Sequence, residues 1–142
     1  MDKLARRAYK LGSSLFVGIF IGHTIAQLHT DFGSVPPEQE KVFTAMGITL
    51  GMEGSHHTLL DFARGNSYGM GVMYLFFGVL LWSVARTFDA RNEPYPRVFS
   101  AVGFIASLSS LLIALRFHPL PPIVFTSIAA VAFGLSYART RA

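Results

Sequence analysis

The sequence predicts an all-α integral membrane protein, a four-helix bundle with an amphipathic helix in its long first external loop. Three observations predict it. The 142 residues are 51% hydrophobic and only 14% charged, with a mean hydropathy of +0.44, whereas a soluble domain carries about 25% charged residues. Four apolar windows approach the roughly 20 residues that a spanning helix needs. The basic residues then gather on one side of those windows. The whole chain, 1–142, is expected to form one transmembrane domain. It contains no cysteine, which excludes disulfides, zinc–thiolate sites and thiol catalysis.

The spans are placed at about 11–28, 68–86, 98–115 and 122–137. Lys3, Arg6, Arg7 and Lys10 precede the first. Arg86, Arg91 and Arg97 lie between the second and third, and Arg139 and Arg141 follow the fourth. Cytoplasmic loops carry the Lys/Arg excess, so both termini are expected to be cytoplasmic. Tyr9, Trp82, Tyr95 and Tyr137 fall near the same boundary, where amphipathic rings prefer to sit. No small-x-small cleavage site follows the first apolar run, so it is expected to be a span rather than a cleaved leader. The net charge of +4 needs no nucleic acid to explain it, since its placement follows topology and suits anionic lipid headgroups.

The connection between the first two spans, about forty residues, is too long for an ordinary structureless loop. Its segment at about 36–62 has helical signals. In "GSVPPEQEKVFTAM" Ser34 is expected to cap. Prolines then fill the first turn, and Glu38 and Glu40 suit the positive end of the helix dipole. Val42, Phe43, Met46 and Leu50 recur at helical spacing, which predicts an amphipathic helix from Glu38 to about Leu50. Ser55 reads as a second cap. A helix from there to Arg86 would be about 48 Å long, so either its first turns stand above the roughly 30 Å hydrocarbon layer or Gly65 breaks it.

His23 lies about 20 Å along the first span from Lys10, roughly two-thirds of the way across. An ionisable residue at that depth faces the bundle or a polar cavity. Gly18 and Gly22 let another helix approach nearby. Asn66, Tyr68, Ser109 and Thr126 are its expected contacts, and Arg116 the expected counter-charge for Asp61. His23, Tyr68 and Arg116 are therefore the ligand-binding candidates. "EGSHHTLLD" is the densest polar cluster: His57 and Asp61 are four apart, and with Glu53 form a weak candidate metal set whose spacing matches no known motif. A bis-histidine haem needs ligands on facing spans, yet only His23 lies in a span. His29, His56, His57 and His118 fall near outer ends. No cofactor is expected beyond bound lipid. Small residues such as Gly69, Gly71, Gly78, Ser107, Ser110, Ala129 and Ala130 read as helix-packing material.

The combination "GHT" at His23–Thr24, "PPE…VFTAM", "GS…DF…G…G" at Asp61–Phe62, and "LLWSVAR" resembles a family of small four-span bacterial inner-membrane proteins of uncharacterised function, from about Gly18 to Arg141. The resemblance implies the four-span fold and singles out His23 and Asp61. It departs at "HHTLL", where relatives tend to carry basic and aromatic residues, so His56 and His57 are not implied as family features.

Two functional classes follow. One is an accessory subunit that binds lipid or another apolar ligand, within a larger membrane assembly or a homo-oligomer. The other is a membrane-embedded enzyme doing acid/base chemistry on a sterol-like, isoprenoid or quinone substrate, with His23 as acid/base and Asp61 as its orienter.

Overall fold

The computed structural model describes residues 3–34, 36–49, 56–91, 93–117 and 120–140. It has five helices: α1 Lys3–Phe32, α2 Pro37–Ala45, α3 Leu59–Ala90, α4 Arg97–Phe117 and α5 Leu120–Arg139. Among the described residues the only β-pairing is an isolated bridge between Thr49 and Thr58. All but α2 are long and apolar enough to cross a membrane. Each overruns its expected window, because helical hydrogen bonding continues past the apolar stretch into the flanking polar turns. The chain divides into two compact units, Met1–Phe20 with Tyr74–Ala142, and Ile21–Met73.

In the first unit the core is aromatic. Tyr9, Phe16, Leu81, Ala85, Tyr95 and Phe133 are buried together. Tyr9 meets Tyr95 and Phe133 edge-on at 4.9 and 5.5 Å, and Phe16 meets Phe77 at 5.1 Å. Such pairs contribute about 0.5–1.5 kcal/mol each beyond burial. Phe133 fits because two glycines leave room for it. A Cβ at Gly12 would come within 2.5 Å of its ring, and one at Gly103 within 2.6 Å. Several buried hydroxyls in this unit are satisfied locally. Ser100 and Ser136 share a hydrogen bond of 3.0 Å between α4 and α5, and the Ser107 and Thr126 hydroxyls bond carbonyls one turn back in their own helices.

In the second unit, helix starts differ from the sequence expectation. The N-cap of α2 is Pro36, not Ser34. Its carbonyl accepts from Gln39 and Glu40, and the helix ends at Ala45, well before Leu50. Nothing in α2 is buried, and Val42 is exposed while Phe43 and Met46 are half-buried. Leu50, Glu53 and Ser55 lie outside the described residues. The cap of α3 is Thr58. It forms a reciprocal box with Asp61: Asp61 N–H donates to Thr58 Oγ1 at 3.1 Å, and Thr58 N–H donates to Asp61 Oδ2 at 2.9 Å. Leu59 and Leu60 N–H donate to the carbonyls of Ile48 and Met46, and Phe62 N–H to that of Thr58. All four orphan donors of this helix start thus have partners. The helix then runs for 32 residues, about 48 Å, and Gly65 does not break it.

Candidate functional site

On α1 the residues His23, Gln27 and Asp31 follow one another at spacings of four, so they share one helix face. Arg64, Ser67 and Tyr68 of α3 meet them within the second unit. Together they form a continuous polar ladder about 12 Å long, counted along α1.

The ladder begins at His23. Its Nε2 lies 2.9 Å from the Ser67 carbonyl oxygen and 3.0 Å from Ser67 Oγ. A carbonyl oxygen only accepts, so Nε2 must carry a proton, and whenever the ring is neutral Nδ1 keeps a lone pair. Ser67 Oγ donates to Gln27 Oε1 at 2.7 Å, which orients the amide. Gln27 Nε2 then donates to Asp31 Oδ1 at 3.2 Å. Tyr68 OH donates to Asp31 Oδ2 at 2.7 Å, and Arg64 Nε lies 2.9 Å from Asp31 Oδ1. The Asp31 carboxylate is therefore neutralised and receives three donors, although its side chain is only 11% exposed. The ladder does not conduct protons, because the Gln27 amide would have to surrender an N–H it cannot readily regain. Its residual valence is the His23 Nδ1 lone pair, which can accept from a hydroxyl-bearing apolar molecule or act as a base.

The expected site residues divide. His23 is bonded to a polar group of α3, though Ser67 was not among the contacts expected for it. Tyr68 joins the same ladder through Asp31. Thr126 bonds Pro122 of its own helix, and Asn66 and Ser109 are exposed. Asp61 closes the start of α3 with Thr58. His57 and exposed His56 precede α3, so His57 and Asp61 do not share a helical face as their spacing suggested. Glu53 and His118 lie outside the described residues. Arg116 ends α4 and is exposed. Among the described residues no three His, Cys, Asp or Glu side chains gather to hold a metal ion. Gln27, Asp31, Arg64 and Ser67 were not singled out as site residues. The signal was the i, i+4, i+8 series His23, Gln27, Asp31.

A second polar cluster belongs to the first unit. Asp89 pairs with Arg6 at 3.1 Å and with Lys10, and accepts from Tyr95 OH at 2.7 Å. Arg6 also donates to the Glu93 carbonyl at 3.2 Å. Burial first, then the hydrogen bond to Asp89, hold the Tyr95 phenol well above its ordinary pKa. The Tyr9 hydroxyl, fully buried beside Tyr95, has no hydrogen-bond partner among the described residues.

Comparison of the chain with protein-family models, with curated proteins and with solved structures returns no match.

Proposed function

We propose that this protein is a small integral membrane subunit that binds lipid or another apolar ligand and works as an accessory within a larger membrane assembly or homo-oligomer. One observation carries the reading: the carboxylates of the long helices are already engaged within the chain, while long apolar faces are left exposed. Asp31 is held by Arg64, Tyr68 and Gln27, Asp61 by Thr58, and Asp89 by Arg6, Lys10 and Tyr95. Ile25, Met73, Phe76, Ile105 and Val131 are each more than 60% exposed. Exposed apolar faces on spanning helices fit contact with acyl chains or a partner's helices. Cytoplasmic placement of both termini fits the distribution of basic residues, and a bacterial inner membrane is what the family resemblance suggests.

The test is purification from native membranes in mild detergent, followed by native mass spectrometry. The expected result is a stoichiometric companion, either a partner chain or an apolar molecule. A bare monomer in every detergent tried, with no dependence on lipid, contradicts the proposal.

A second reading is carried by the His23 Nδ1 lone pair: an enzyme using this nitrogen as the base on an apolar substrate. In that case Asp31, linked to His23 through Ser67 and Gln27, takes the supporting place expected of Asp61. His23→Gln abolishing turnover while leaving ligand retention intact would select this reading over the accessory one.

A further inference from the structure

We propose that the first unit carries a binding site for one anionic phospholipid, with Arg97 at the head of α4 contacting the phosphate. The proposal rests on the reading that the long helices lie in a bilayer. The first unit holds ten of the chain's Lys and Arg residues against three Asp and Glu, a net charge of +7. Its one acid in a described ion pair, Asp89, is shared between Arg6 and Lys10. Arg97 has no carboxylate in ion-pair range among the described residues. Its guanidinium carbon instead lies 4.1 Å from the centroid of the Tyr137 ring.

That stacking has a chemical consequence. A guanidinium held by its face keeps its N–H donors directed outward in its own plane. Such a fork matches two oxygens of a phosphate. The ring also restricts the arginine before any ligand arrives, which lowers the entropic cost of binding. Next to Arg97 an apolar track begins: Val98, Val102 and Ile105 follow at helical spacing and are 60%, 42% and 62% exposed. It covers about 10 Å along α4, much of the roughly 15 Å depth of one leaflet's hydrocarbon. A phosphate fork above an apolar track fits a phospholipid, and the excess of positive charge selects an anionic one over a zwitterionic one.

The experiment uses the full chain in nanodiscs of mixed phosphatidylglycerol and phosphatidylcholine. Native mass spectrometry then counts the lipids that survive removal of the bulk. The protein should retain one phosphatidylglycerol, and Arg97→Gln should cut that retention roughly tenfold, as loss of a charge-assisted fork implies. Arg97→Lys should fall nearly as far, because lysine keeps the charge without the planar fork. Arg91→Gln removes the same charge from the exposed turn after α3 and should retain the lipid. Equal losses in Arg91→Gln and Arg97→Gln would reduce the effect to net charge and overturn the site. So would equal retention of phosphatidylcholine, or inorganic phosphate in detergent raising the melting temperature as much as the lipid does. Failure of the underlying membrane reading looks different: the chain would then stay dispersed and folded without detergent.

Discussion

Asp31 is where the second unit concentrates its polar interactions. Three side chains donate to one carboxylate that is 11% exposed, and low local polarity strengthens each bond while raising the cost of losing one. Asp31→Asn with Arg64→Gln, measured singly and together by thermal or denaturant unfolding in detergent, should give a coupling energy on the order of 1 kcal/mol, held down by the partial exposure of Arg64. No coupling would mean that the pair adds nothing to holding α1 against α3. Tyr9 poses the opposite case. A buried hydroxyl without a partner costs about 1–3 kcal/mol, so Tyr9→Phe should leave melting unchanged or raise it. A clear drop would show that the hydroxyl is satisfied by something other than this chain. The sequence revealed His23 through its depth in an apolar run, and its spacing to Gln27 and Asp31 was equally legible. The facing residues were not, because pairing depends on the register between α1 and α3, which periodicity within one helix does not contain.

At the scale of elements, helix existence was legible and helix starts were not. The apolar windows at 11–28, 68–86, 98–115 and 122–137 all lie inside helices. Ser34 and Ser55 looked like caps by residue type, yet the observed starts are Pro36 and Thr58. Thr58 is favoured because Asp61 stands three residues on and completes the box. The carbonyls of Ile48 and Met46, far away in sequence, then satisfy the next two donors. An acid near the outer end of a span looks the same in sequence whether it caps or reacts, so the capping role of Asp61 was not legible before the structure. Thr58→Ala should destabilise by about 1 kcal/mol, with the loss visible in hydrogen exchange as faster opening of the first turn of α3. Thr58→Ser should keep most of the protection. If both variants exchange alike, the box contributes nothing.

Across the whole molecule, charge is sharply divided. The first unit has a net charge of +7, and the second, with two basic residues against five acidic, has −3. The four long helices can each cross a membrane by length and composition, and the expected orientation rests on nine of the twelve Lys and Arg residues lying before the first span, between the second and third, or after the fourth. The accessory function, the lipid site at Arg97 and the placement of the ladder in an apolar setting all depend on that orientation or on membrane insertion. The most direct measurement is therefore a pair of topology reporters, one inserted at Glu40 in α2 and one at Glu93 in the connection between α3 and α4. The expected result is opposite sides, with Glu93 cytoplasmic and Glu40 outside. Both reporters on one side of the membrane would contradict the account.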